Sequence, residues 1–155
     1  MEFERHLLAA TGYAELDMSR ESIAELNAID DEYQNRPEVL QLRLHSLMRQ
    51  KKWARALRVS QMLCRVAPEC STGFLHASFC LHELGKTAQA KKFLLQGPPI
   101  LLNEPIYYYN MGCYDALLGN VQDARLHLHT SFEMDASFRD LAKQDPDLKS
   151  VQDLI

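Results

Sequence analysis

β-Branched residues are scarce in this chain. Val, Ile and Thr together number 14 among 155 residues, against 39 Leu and Ala. Strands draw on β-branched side chains and helices on small or straight-chain ones, so a sheet-built domain is excluded and an all-α one expected. Glycine and proline, six each, are too few for a collagen-like or low-complexity chain. Cys64, Cys70, Cys80 and Cys113 form no CxxC pair and no even framework, which excludes a disulfide-built secreted scaffold. No run approaches the roughly 18 apolar residues that span a bilayer. Near the amino terminus only Leu7 to Ala10 is apolar, too short for a signal-peptide core. Cations are not in excess: 17 Lys and Arg face 21 Asp and Glu, a net charge of −4, which argues against a general nucleic-acid binder. The expectation is one domain, residues 1–155, in a reducing, cytoplasmic setting, with 46% hydrophobic residues to supply its core.

What the chain does have is self-similarity. Aligning the segments from Phe3, Pro37, Ser71 and Pro105 places Ser22, Ala56, Ala90 and Ala124 in one column, each 34 residues from the next. Gly85 and Gly119 coincide, with Lys51 in their place one period earlier. Leu40, Phe74 and Tyr108 form a large-apolar column, as do Tyr13, Leu47 and Leu81, and Leu26, Leu94 and Leu128. A period of this length marks a stacked repeat architecture. Each segment reads as two helices. In the last, the pattern predicts helices over Ile106–Leu118 and Val121–Met134, with Gly119 as a left-handed stop and Asn120 as a cap. Ser19 and Thr87 are the equivalent predicted caps. Pro37, Pro68 and Pro105 fall at segment boundaries, where a missing N–H costs least. The small column fits a close approach of the two helices.

These columns resemble the tetratricopeptide repeat, a helix–turn–helix unit of 34 residues. Tyr109-Asn110-Met111-Gly112, Gly119, Ala124 and Glu133-Met134-Asp135 follow its pattern, with partial matches at Gly12-Tyr13, Trp53 with Ala56, and Ala67-Pro68. The resemblance implies a right-handed α-solenoid of four repeats, approximately 3–36, 37–70, 71–104 and 105–138, with a cap at 139–155. Three residues depart from the pattern and are expected to pack irregularly: Asp115 at an apolar aromatic position, Arg43 at an apolar one and Leu44 at a small one. A stacked array needs its last apolar face covered. Phe138, Leu141 and Ala142 suggest one short helical turn. Asp145-Pro146-Asp147 then opens a second, with Leu148, Val151, Leu154 and Ile155 as the stripe that seals repeat four.

Catalytic and metal chemistry find little support. His127 and His129 are two residues apart on a helix and point to opposite sides. His76 and Cys80 share a face, but zinc would need two further ligands from a neighbouring helix. There is no GxSxG, HExxH or phosphate-cradling glycine loop, and no Cys with a base and an orienting group. The cysteines read as small apolar fillers, with Cys70 at a repeat junction. No enzyme activity, cofactor or metal is expected.

In the family the chain resembles, the first helix of each repeat lines a concave groove. Carried over, the groove positions hold Leu8, Thr11, Gln41, His45, Met48, Arg49, Leu75, His76, Phe79, His82, Glu83, Tyr109, Asn110 and Cys113. Aromatics and Met supply adaptable contact area, and Asn can hydrogen-bond a backbone in both directions. The cation clamp by which some members hold a terminal carboxylate is missing, since Gln41, His45, Thr72 and His76 stand at its positions. The function expected is a non-catalytic adaptor or scaffold that binds a peptide or helix of another protein. The alternative is a small chaperone for an apolar client.

Charge is unevenly spread. Residues 3–36 carry a net −5 and residues 37–70 a net +5. Lys51, Lys52, Arg55, Arg58 and Arg65 cluster on the second helix of repeat two, and Glu21, Glu25 and Glu32 on that of repeat one. Two readings follow: attraction between neighbouring solvated helices, or a basic docking stripe for an acidic partner or nucleic acid. Cations without interleaved aromatics favour nucleic acid weakly. Finally, Gly97-Pro98-Pro99 should end a helix early, and Ile100-Leu101-Leu102 either folds back into the gap or stays exposed for a partner or self-association.

Overall fold

The structure, a computed structural model, describes residues 1–155. It contains nine α-helices, three 3₁₀ helices and no strand. Eight helices form four antiparallel pairs: α1 (Glu2–Glu15) with α2 (Ser19–Asn27), α3 (Pro37–Arg49) with α4 (Trp53–Val66), α5 (Ser71–Glu83) with α6 (Thr87–Leu95), and α7 (Pro105–Leu117) with α8 (Val121–Met134). Each packs on its neighbours in sequence, and α1 adjoins α3 as α5 adjoins α7. Helix α9 (Ser137–Gln144) and a 3₁₀ helix (Pro146–Leu154) close the stack.

The link between paired helices is the same four times. Asp17, Lys51, Gly85 and Gly119 all adopt positive φ, at 59°, 57°, 81° and 83°. The next residue in each case donates its N–H to the carbonyl five residues back: Met18 to Tyr13, Lys52 to Leu47, Lys86 to Leu81 and Asn120 to Asp115, at 2.8–3.0 Å. This is a Schellman ending, which needs one left-handed residue. It also corrects the expected caps. Helices α2 and α6 start at Ser19 and Thr87, with Met18 and Lys86 as cap residues, and Asn120 makes no side-chain cap bond. The cap residue is already held by the preceding helix with ψ between 55° and 71°, away from the extended backbone that usually aims a side chain at the new helix.

Ser22, Ala56, Ala90 and Ala124 are fully buried where the helices of each pair meet, and Ser22 Oγ donates to the Ala10 carbonyl (2.8 Å). Helices α2 and α6 have only nine residues, whereas α4 and α8 have 14, and a 3₁₀ helix follows each short one (Asp31–Tyr33, Pro99–Asn103). Glu32 therefore lies on a 3₁₀ turn beyond α2. In the Ile100-Leu101-Leu102 segment Leu101 is buried, whereas Ile100 and Leu102 are half exposed (51% and 54%).

The three departures from the repeat pattern are each accommodated by specific partners. Leu44 is buried in the middle core. Arg43 donates to Asn27 Oδ1 (2.7 Å) and Gln34 Oε1 (2.8 Å). Asp115 is fully buried and bonded by Lys91, His127 and Asn120. Polar groups at these sites are stable because each has found partners. The closing segment is a 3₁₀ helix, with Asp145 accepting from the Asp147 N–H (2.9 Å). Leu148, Val151 and Leu154 are spaced by three, so they eclipse on a 3₁₀ helix. The first two are fully buried in the core around α7, and Leu154 is 39% exposed.

Candidate functional site: a groove and a basic cavity

Three of the first helices converge on an open pocket of about 360 Å³, lined by Met48 from α3, Leu75, His76 and Phe79 from α5, and Ile106 and Asn110 from α7. Each wall is held from behind. Phe79 packs edge-on against Trp53 (centroids 5.7 Å apart, 71° between planes), and the Met48 sulfur lies 3.4 Å from Cys80 Sγ. His76 Nδ1 is 2.8 Å from the Thr72 carbonyl. A carbonyl only accepts, so Nδ1 carries the proton and a neutral His76 offers Nε2 as an acceptor. The Asn110 amide makes no side-chain hydrogen bond within the chain. The pocket thus combines four apolar walls with one acceptor and one donor–acceptor group.

The other expected groove residues have different surroundings. His45 is exposed in shallow polar depressions between α1 and α3, where Thr11 and Gln41 also lie. Arg49 is engaged: its guanidinium donates twice to the Asp17 carboxylate (2.9 and 2.7 Å). Tyr109 and Cys113 are buried beneath the carboxyl-terminal segment. The Tyr109 hydroxyl donates to Asp145 Oδ2 (2.6 Å), and Cys113 Sγ is 3.8 Å from the same oxygen. Burial and then the Asp145 bond raise the Tyr109 phenol above its ordinary range, and burial with the Asp145 and Asp147 charges raises the Cys113 thiol. His82 lies 2.9 Å from Asp147 Oδ2 and 3.0 Å from Thr87 Oγ1, beside the Tyr114 ring. Met48, Leu75, His76, Phe79 and Asn110 therefore share the open pocket, and His82, Tyr109 and Cys113 lie under the chain's own end. Ile106 is an addition to the expected groove residues; it lies in the first turn of α7, one period after Thr72.

A second concavity, of about 490 Å³, opens between α2, α3 and α4. Lys52, Arg55 and Arg58 line it together with Arg20 and Arg43, which come from two other helices and lie outside the expected stripe. Lys51 sits in the left-handed turn, and Arg65 is exposed near the end of α4; neither lines the cavity. The expected attraction between the acids of α2 and the bases of α4 is not realised as ion pairs. Glu25 lies against His6 (2.7 Å), and no residue of the basic stripe is ion-paired. The signal for Arg20 was present: Arg20, Ile23, Ala24 and Asn27 are spaced as one helical face.

All four cysteines are free thiols, Cys80 and Cys113 buried and Cys64 and Cys70 partly so. Burial pushes Cys64 and Cys80 up to about 11, away from thiolate reactivity. No helix is long and apolar enough to cross a membrane.

The architecture is an α-solenoid of four tetratricopeptide-like helix pairs with a carboxyl-terminal cap. No protein-family model matches the chain, and no curated protein matches it in sequence. Among solved structures it superposes on a tetratricopeptide-like protein described as "MamA RS-1 ArsTM double mutant", with a TM-score of 0.78. The match covers 99% of this chain and 94% of that one at 14% sequence identity, a likeness of fold.

Proposed function

We propose that this chain is a non-catalytic adaptor or scaffold, one domain over residues 1–155 acting in the cytoplasm, that holds a segment of a partner protein against α3, α5 and α7. The observation that carries this reading is the pocket of Met48, Leu75, His76, Phe79, Ile106 and Asn110. An apolar side chain of the partner enters between Leu75, Phe79 and Ile106, while Asn110 and His76 Nε2 bond its backbone. Apolar walls with few polar groups suit a helical or extended segment of low charge.

The test is selection of peptides from a random displayed library on the intact protein, followed by calorimetric titration of the winners. Phe79→Glu is expected to weaken binding by more than about tenfold, since it puts a charge in the apolar wall. Asn110→Ala is expected to cost about 1 kcal/mol, one hydrogen bond's worth. Affinities unchanged by both substitutions would remove the groove from the account. The chaperone alternative draws on Leu95, Ile100 and Leu102, each more than half exposed. It requires instead that Ile100→Ser with Leu102→Ser abolish suppression of client aggregation.

A further inference from the structure

The cavity between α2, α3 and α4 shares no lining residue with the groove pocket. Arg20, Arg43, Lys52, Arg55 and Arg58 converge there with no acidic residue among its walls, in a chain whose net charge is −4. None of the five takes part in any of the chain's ion pairs. Nearby acids are turned elsewhere, Glu25 to His6 (2.7 Å) and Asp17 to Arg49 (2.7 Å). Arg43 is fixed rather than floating, since Asn27 Oδ1 and Gln34 Oε1 take two of its donors and leave the others free. Like charges gathered in this way repel, and an anionic ligand relieves the repulsion.

The rest of the lining narrows the ligand class. Ile23, Leu47 and Val59 give the cavity an apolar base, which a small inorganic anion would leave unused. No aromatic ring lines it, so nucleic-acid bases have nothing to stack on. Arginines around an apolar base match carboxylates flanking an aliphatic side chain, with bidentate guanidinium–carboxylate pairs available.

We infer that this cavity is a second docking site, taking an acidic segment of a partner protein in which Asp or Glu residues flank an aliphatic one. The adaptor is then two-sided, with an apolar segment in the groove and an acidic one in the cavity.

Fluorescence anisotropy of the intact protein with a labelled peptide of alternating Glu and Leu tests this. The peptide is expected to bind, more weakly as salt rises, and its Gln-for-Glu and Ser-for-Leu counterparts at least about tenfold less tightly. Arg55→Glu with Arg58→Glu should reduce binding by a similar factor, Arg55→Lys with Arg58→Lys should retain part of it, and Phe79→Glu should leave it intact. Circular dichroism establishes that each variant is folded. The inference is overturned by no binding, by equal binding to the charge-reversed protein, or by loss of binding in Phe79→Glu alone. Tighter binding of tripolyphosphate or oligothymidine through the same arginines would also overturn it, as would self-association that blocks the peptide.

Discussion

Asp115 joins the fourth pair to the helix before it through a fully buried carboxylate. A fully buried carboxylate persists only where donors surround it. Lys91 Nζ lies 2.5 Å from Oδ1, His127 Nδ1 donates to Oδ2 at 2.9 Å, and Asn120 Nδ2 reaches Oδ1 at 3.4 Å. One side chain thus ties α6, α7, α8 and the turn between the last two. Asp115→Ala should cost about 3–5 kcal/mol, because it leaves the partly buried Lys91 ammonium without its counter-charge. Asp115→Phe with Lys91→Met, which gives the position the aromatic residue of the repeat pattern, should cost less. Urea unfolding of the two variants checks the order, and equal losses would contradict it. The buried thiols and phenols set a pH limit. Burial raises Cys64, Cys80, Tyr107 and Tyr114, so above about 9, the ordinary thiol value, the unfolded chain sheds protons that the folded chain keeps. The folded state then binds more protons, and stability falls as pH rises; below that value both states are protonated and these groups contribute no slope. Thermal melts should show Tm falling above this pH, and a rise there would contradict the assignment.

At the scale of elements, the turn column and the small column set the spacing of each pair. Lys51 occupies a left-handed position that glycine fills in repeats three and four. Lys51→Gly should therefore stabilise the protein by up to about 1 kcal/mol, the relief of strain less the extra freedom of the unfolded chain. At Gly112 an added Cβ would lie 2.6 Å from Leu128 Cγ and 3.3 Å from the Ala124 carbonyl oxygen. Gly112→Ala should push α7 from α8 and cost about 1–3 kcal/mol, measured by denaturant unfolding. Much of this layer was legible beforehand. A period of 34 residues predicted the pairs, the left-handed stop at Gly119 and Val121–Met134 to the residue. The caps were not, because the residue entering each second helix is also the last residue of the preceding Schellman ending. The second segment of the cap is expected as an ordinary helix, although the spacing of Leu148, Val151 and Leu154 by three also fits the 3₁₀ geometry that it adopts.

The same limit governs the site on the scale of the whole molecule. Gln41, Leu75 and Tyr109 share one column of the repeat, and His45, Phe79 and Cys113 another. Periodicity says that members of a column face the same way, but not what covers them. Leu75 and Phe79 line the open pocket, whereas Tyr109 and Cys113 lie beneath Asp145. The basic stripe divides for a related reason: three of its five residues meet cations from two other helices, a coincidence that one helix cannot reveal. Because stability in a repeat stack is a sum over neighbouring units, deleting residues 145–155 should act locally. Losing Leu148 and Val151, both fully buried, should cost about 3–6 kcal/mol. Hydrogen exchange should show lost protection in α7–α9 with α1–α4 unchanged, and uniform loss would contradict a modular stack.

The groove reading is tested most directly by methyl NMR of the intact protein, titrated with a library-selected peptide. Shift changes are expected at Met48, Leu75 and Ile106 and absent from Leu126 and Val59. Changes confined to the basic cavity between α2, α3 and α4 or to Ile100 and Leu102, with Met48, Leu75 and Ile106 unmoved, would contradict it.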